Sequence, residues 1–278
     1  MNLEGARVVL RPRTPSEIFD LAFRYCAALA LPLYLRLAAI VLLPCLLLCG
    51  YVHVLTDGEW PLTWALAFAL GGFVQGVFTI AASRLLFEPK PRALGIILTA
   101  LRRLPALSVA LLVHSLLLAA GAFLLVGSFF VWVWHTYLYE AVLLENQGPF
   151  AAIGRASALV KHKFGAALVT CIGSAAVVVL GVVSAELLLG SLVDWVLQLG
   201  KPFGTLWDDG GSPYALIGFF AALPLVATAR FLSYIDGRTR QDGWDIQLRF
   251  MSIAAADSTA SSPSSSSSTS STSDPEAP

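Results

Sequence analysis

Three ionisable side chains, His114, His135 and Glu140, lie inside long apolar stretches of the chain. Such groups are costly to desolvate at membrane depth, so by default they mark functional sites. Counted from the ends of their segments at ~1.5 Å per residue, the two histidines lie roughly 15 and 14 Å deep. They are therefore predicted to meet near the bilayer midplane. Glu140, about 6 Å deep on the same count, is predicted to pair with Arg84 or Arg36.

This cluster suits a proton or cation path, because imidazoles gain and lose protons near neutral pH. The alternative is a pair of neutral histidines hydrogen-bonded between helices, with Glu140 reaching the lipid headgroups. The sequence has no phosphate-binding loop, no His-Glu-x-x-His and no Gly-x-Ser-x-Gly motif. It therefore predicts a protein that is not an enzyme, with no metal, no cofactor and no nucleic-acid partner.

The elements that carry these residues are apolar segments of membrane-spanning length. Hydrophobic residues make up 57% of the chain and charged residues 13%, and the mean hydropathy is +0.74. A helix needs about 20 apolar residues to cross a bilayer. Six segments approach this length and predict an all-α integral membrane protein with six transmembrane helices: Leu33–Leu55, Pro61–Ser83, Leu104–Val126, Ser128–Leu144, Phe164–Leu189 and Pro213–Ile235.

The third and fourth predicted spans come from one continuous apolar stretch, 104–144. As a single helix it would be on the order of 60 Å long, about twice the thickness of the hydrocarbon core. Gly127 and Ser128 near its middle are suitable turn residues, so a hairpin is predicted there. The fourth span is then short, and both a full crossing and a re-entrant segment remain open.

Basic residues fix the predicted orientation. With six spans, every one of the 18 Lys and Arg residues except Lys201 falls on the same side. The positive-inside rule places that side in the cytoplasm. The sequence thus predicts a multi-pass protein of the bacterial cytoplasmic (inner) membrane with both termini cytoplasmic.

Three amphipathic segments precede pairs of spans. Thr14-Pro15-Ser16-Glu17 has the pattern of a helix start. Pro91 and Pro149 open two further amphipathic segments. The predicted architecture is therefore three cytoplasmic interfacial helices, each followed by a hairpin of two spans. Its domains are a cytoplasmic segment (1–13), a membrane domain (14–250) and a disordered Ser-rich cytoplasmic tail (251–278).

Two more groups of residues are candidates for contacts. Gly72 and Gly76 form a Gly-x-x-x-Gly pattern that favours close helix packing, expected within the chain, with another copy as the alternative. A C-terminal set with both charge signs is a candidate cytoplasmic docking site or intramolecular clamp, and a collar in contact with lipid headgroups is its alternative. From the C-terminal segment the set comprises Asp236, Arg238, Arg240, Asp242, Trp244 and Asp245, and it includes Arg155 of the third amphipathic segment, over which the clamp would close.

Three stretches resemble the glycerophosphoryl diester phosphodiesterase membrane-domain family of bacterial polytopic proteins. They are 145–161, read as Glu-Asn-Gln-Gly-Pro-Phe-Ala-Ala-Ile-Gly-Arg-Ala-Ser-Ala-Leu-Val-Lys, together with 14–24 and 230–249. One departure is Ala156, which separates Arg155 from Ser157 where the commoner pattern joins Arg to Ser. The resemblance implies a stand-alone membrane module. It does not carry over the phosphodiesterase activity, which in that family belongs to a separate soluble domain.

The function expected from the sequence is a non-enzymatic accessory or scaffold protein, with envelope or lipid processes as the suggested context. The alternative is a small transporter or lipid-handling protein that uses its intramembrane His and Glu residues. Expected partners are membrane lipids and another membrane or cytoplasmic protein, and the oligomeric state stays open. A closed core of Leu, Val and Ala favours the scaffold, whereas a water-accessible cavity that reaches His114, His135 or Glu140 favours transport.

Overall fold

The computed structural model describes residues 14–88, 90–123, 127–161, 163–200 and 202–241. All regular structure in these ranges is helical, and none of them contains a strand. The predicted segment 1–13 and the predicted tail 251–278 lie outside the described residues. The chain divides into two units, 1–238 and 239–278. Of the second, only the end of the last helix is described.

The first long helix runs without a break from Pro15 to Leu55. It consists of α1 (Pro15–Arg24), α2 (Leu31–Leu37) and α3 (Leu43–Leu55), joined by the π-helical segments Tyr25–Ala30 and Ala38–Leu42. Its predicted start is confirmed, because Thr14 and Glu17 form a reciprocal capping box. The predicted amphipathic helix is present as α1, with Ile18 and Ala22 buried and Asp20 and Arg24 exposed, but it continues into the span instead of ending before it. Each π-helical segment ends two residues before a proline, so its wider turns accommodate the missing N–H and let the helix continue.

The next two helices form the frame for the site. α4 (Trp60–Phe87) and α5 (Ala93–Ala122) are both long enough to cross a bilayer. The second predicted surface helix is also not a separate element, because α5 passes through Pro105 without ending. A proline inside a helix removes one backbone hydrogen bond but does not always stop the helix.

The predicted fourth span is broken. It consists of α6 (Gly127–Trp134) and α7 (Leu138–Leu143), with a turn at 135–137 between them. The predicted reversal of the chain before it is supported by Gly121, where a Cβ atom would lie 2.7 Å from the backbone nitrogen of Ser128. Only glycine permits this approach of α5 to the start of α6.

The remaining helices complete the bundle. α8 (Pro149–Lys161) is a separate helix, as predicted for the third amphipathic segment. α9 (Phe164–Ser191) continues into the π-helical segment Leu192–Val196, and the short α10 (Leu206–Asp209) precedes α11 (Pro213–Gln241).

Five helices among the described residues are long and apolar enough to cross a membrane: Pro15–Leu55, Trp60–Leu86, Ala93–Ala122, Phe164–Val196 and Pro213–Thr239. The chain is therefore a multi-pass helical membrane protein, and its helices contact lipid. α4 and α11 are central, since 67% and 72% of their most apolar windows are buried, against 11% for α5. On α5, exposed side chains such as Leu112 and Leu116 cover the lipid-facing surface.

Candidate functional site

The structure brings the two sequence-predicted histidines into contact. His114 lies on α5, and His135 lies at the start of the turn that breaks the predicted fourth span. Their Nδ1 atoms are 2.9 Å apart, and the rings pack edge to face with centroids 5.0 Å apart. His135 is buried, and His114 is half-buried. The contact joins α5 to the helix break.

This contact has a definite proton chemistry. A hydrogen bond between two Nδ1 atoms requires one ring to carry the proton and the other to offer its lone pair. In the neutral pair, one ring therefore has a free Nε2 lone pair and the other an Nε2–H. A proton bound at the lone pair can pass through the Nδ1–H···Nδ1 bond and leave from the other Nε2. Whichever of the two rings carries the shared proton, the pair presents one Nε2 lone pair and one Nε2–H.

Glu140 has a different partner from the one predicted. Its side chain on α7 is fully buried, and Oε1 lies 4.0 Å from Nε of Arg230 on α11. Arg84 instead donates to the hydroxyl of Thr99, at 2.7 Å, and Arg36 is exposed. The prediction of a pair with either of these two arginines is wrong, because Arg230 of α11 is the arginine that reaches this buried carboxylate.

Arg230 ties α11 to the broken segment. Its Nη2 donates to the backbone carbonyl of Thr136, in the turn between α6 and α7. Its guanidinium also lies over the ring of Tyr139, 4.9 Å from the centroid. The carbonyl of Thr136 is available because the helix is interrupted there. One arginine therefore contacts the break, an aromatic ring and the carboxylate of Glu140.

The two histidines, Arg230 and Tyr139 line a pocket of about 220 Å³. Its lining residues come from α4, α5, α6, α7, α9, α11 and the turn at 135–137: Gln75, Leu111, His114, Trp132, His135, Thr136, Leu138, Tyr139, Cys171, Ser174 and Arg230. Polar groups thus converge on one pocket inside an apolar bundle. Gln75 is buried, and its Nε2 has no hydrogen-bond partner among the described residues.

Gly72 and Gly76 lie beside this pocket. A Cβ atom at Gly72 would be 3.1 Å from Leu111 and 3.3 Å from the hydroxyl of Tyr139, and one at Gly76 would be 3.2 Å from Leu107. The Gly-x-x-x-Gly face of α4 therefore packs on α5 and α7 of the same chain. This close packing positions Gln75, one residue before Gly76, at the pocket.

Part of the predicted clamp also comes together, around a residue that the sequence did not single out for that role. Glu145, just after α7, has its Oε2 3.1 Å from Nε of Arg155 on α8 and its Oε1 3.4 Å from Nη1 of Arg238 on α11. It also accepts a hydrogen bond from the hydroxyl of Tyr234. Of the other predicted members, Asp236 lies on α11, as does the backbone of Arg240. Asp242, Trp244 and Asp245 lie outside the described residues.

Sequence reasoning missed Arg230 and Gln75. Both lie inside predicted spans, Pro213–Ile235 and Pro61–Ser83, and the rule that polar groups at membrane depth are functional applied to them as well. Arg230 was grouped with the basic residues of the cytoplasmic face, because it lies close to the end of its span. Hydropathy alone does not distinguish an arginine that reaches lipid headgroups from one that turns into the bundle.

Comparisons of this chain with protein-family models, with curated proteins and with solved structures find no match. The resemblance to the glycerophosphoryl diester phosphodiesterase membrane domains therefore stays a prediction.

Proposed function

We propose that this protein is a small membrane transporter that binds its substrate in the pocket beside His114 and His135 and passes a proton through that pair. The observation that carries the proposal is the cavity that the two imidazoles line, because a hydrogen-bonded pair between helices is expected whether or not a proton passes through it. A closed apolar core would have favoured a scaffold. A water-accessible cavity that reaches the histidines was the feature expected of a transporter.

The broken helix supports this proposal. Non-helical backbone at membrane depth is tolerated where it is buried in protein or lines a cavity. Transporters commonly bind substrate where a span is interrupted, since the free backbone groups and nearby side chains contact the ligand there. Here the turn at 135–137 supplies His135 and the carbonyl that holds Arg230.

In this proposal the broken segment forms a fourth crossing together with the five long helices. Both chain termini then lie on the cytoplasmic side of a bacterial inner membrane, as the distribution of basic residues indicates. The pocket lies between helices on both sides of the break, so a shift of the broken segment would change access to it.

A panel of solutes tests the transporter role before the substrate is identified. Purified full-length protein is reconstituted in liposomes that contain a pH-sensitive dye, and solutes are added outside: sodium pyruvate, sodium lactate, alanine, sodium phosphate, methylammonium chloride and glycerol. At least one solute is expected to cause a saturable pH change that empty liposomes lack. His114→Gln should reduce its rate about tenfold or more, because the pair loses one ring.

The matched control is His53→Gln. His53 lies on α3, outside the pocket, and its ring is also hydrogen-bonded, with Nδ1 3.2 Å from the hydroxyl of Thr63. Its replacement should leave the rate unchanged. Folded protein that gives no response to any of the solutes would refute the transporter role.

The second candidate function is the accessory or scaffold role. The cluster of Glu145 with Arg155 and Arg238 favours it, because both arginine side chains remain about one third exposed while the carboxylate they share is buried. In this role the partly exposed Arg155 binds an acidic group of the partner. Copurification of one partner that is lost with Arg155→Ala, together with no solute response, would favour this role.

A further inference from the structure

The wall of the pocket offers donors of hydrogen bonds that the described residues do not use. Nε2 of Gln75 is buried and lacks a hydrogen-bond partner there. Nε of Arg230 faces Oε1 of Glu140 at 4.0 Å, so the rest of the guanidinium is what lines the pocket. Glu140 contacts Arg230 but does not line the pocket. Buried donors without partners are costly, so a ligand that accepts hydrogen bonds is favoured. The guanidinium on the wall makes that ligand an anion rather than a cation.

The size and the apolar part of the wall limit this anion further. A volume of about 220 Å³ is below the range usual for pockets that bind drug-sized ligands, so the ligand is small. Leu111, Trp132 and Leu138 supply an apolar surface on the same pocket. A polar head next to Arg230 and a short hydrocarbon next to these three residues match a small carboxylate. Its carboxylate accepts hydrogen bonds from the amide of Gln75 and from the part of the guanidinium that lines the pocket.

The charge balance around the pocket indicates how many charges the ligand carries and which ion accompanies it. Arg230 and Glu140 together carry no net charge, so a bound monocarboxylate adds one negative charge inside apolar helices. An isolated charge is expensive in such a medium. One proton on the His114–His135 pair, which lines the same pocket, cancels it. A dianion such as phosphate would leave a second charge without compensation.

We propose that the substrate of this pocket is a small monocarboxylate that moves together with one proton, an inference that rests on the transporter role proposed above. Arg230 and Gln75 bind the carboxylate, and the histidine pair holds the proton. The bound carboxylate and the bound proton each strengthen the binding of the other, because their charges neutralise one another. The titratable and charged groups around the pair, taken over all the elements that pack there, are His114, His135, Tyr139, Glu140, Cys171 and Arg230.

The experiment compares solutes in the proteoliposome assay described above. Pyruvate and lactate are expected to drive saturable proton uptake with a stoichiometry of one. Lactamide, which has the shape of lactate without its charge, should neither drive uptake nor compete with it. Inorganic phosphate and methylammonium should be at least tenfold less effective than pyruvate.

Two variants test the residues. Gln75→Leu keeps the size of the side chain and removes the donor, so the Kd for pyruvate, measured with the radiolabelled compound, should rise about tenfold. Gln147→Leu, in the loop before α8 and outside the pocket, is the control and should leave the Kd unchanged. Arg230→Gln alone can disturb folding, because Glu140 then stays buried without its partner. The double variant Glu140→Gln/Arg230→Gln avoids that charge and should abolish pyruvate binding.

The possible failures of the two proposals are distinct. A response to methylammonium or phosphate that exceeds the response to pyruvate would overturn the monocarboxylate while leaving the transporter role in place. Equal competition by lactamide would do the same. A response to none of the solutes would remove the transporter role itself.

Discussion

The pair formed by Glu140 and Arg230 predicts a measurable asymmetry between its two members. Glu140 is fully buried, and its two oxygens have no hydrogen bond among the described residues. Arg230 is 14% exposed and also contacts the carbonyl of Thr136 and the ring of Tyr139. Removing Arg230 therefore loses three contacts and leaves a buried carboxylate. Removing Glu140 leaves an arginine that keeps two of its contacts.

The expected magnitudes follow from this difference. Arg230→Gln should lower the free energy of unfolding by about 3–5 kcal/mol, the usual cost of breaking a buried pair. Glu140→Gln should lower the free energy of unfolding by about 1–3 kcal/mol, because Arg230 loses a buried partner. The loss is smaller because the glutamine amide fills the same space. The free energy of unfolding lost in the double variant should be smaller than the sum of the two single losses by about 0.5–3 kcal/mol. The assay is unfolding of the purified protein in mixed micelles by SDS titration, followed by tryptophan fluorescence.

An exposed pair on the same protein provides the control. Arg24 and Asp20 on α1 are 3.1 Å apart, closer than Glu140 and Arg230, but their side chains are 74% and 60% exposed. Their coupling should be only about 0.3–0.5 kcal/mol, because solvent screens the charges. Burial, and not distance, is thus expected to set the coupling. Additive effects for the buried pair, or a greater loss from Glu140→Gln than from Arg230→Gln, would contradict this reasoning.

Four further predictions concern the frame of the site and the topology. Gly121→Ala should cost about 1–3 kcal/mol in the same titration, because its Cβ would meet the backbone of α6, whereas Gly165→Ala, with open space around it, should cost nothing measurable. Gly76→Val should separate α4 from α5 and lower the thermal midpoint, and an unchanged midpoint would argue against this packing. Glu145→Gln should make the link between α7 and α8 more sensitive to protease, because two arginines lose their shared carboxylate. A C-terminal alkaline phosphatase fusion should be inactive, and an active one would reverse the proposed orientation.

Local sequence patterns predicted much of the secondary structure. The start at Thr14 and Glu17 was confirmed because a capping box uses only neighbouring backbone and side-chain groups. The long helices α4, α9 and α11 followed from the length of their apolar runs. The break of the fourth span was not predicted, since the segment is apolar from Phe129 to Trp134 and has no glycine or proline at 135–137. A helix can be interrupted there because tertiary contacts, such as the one from Arg230 to the carbonyl of Thr136, replace the lost backbone bond.

Some contacts of the site also follow from the sequence, whereas others depend on how the helices pack. Depth along a helix follows from counting residues, and by depth alone His114 and His135 were expected at one level, where the structure joins them. Direction around a helix depends on how the helices pack, and this decided that Glu140 contacts Arg230 rather than Arg84 or Arg36. The sequence by itself determined an all-helical membrane protein with polar groups at depth, because hydrophobic length and local hydrogen bonding are properties of short segments. Only the tertiary structure decided which of those groups share a pocket, because that depends on the rotation of each helix about its axis, which packing between distant segments sets.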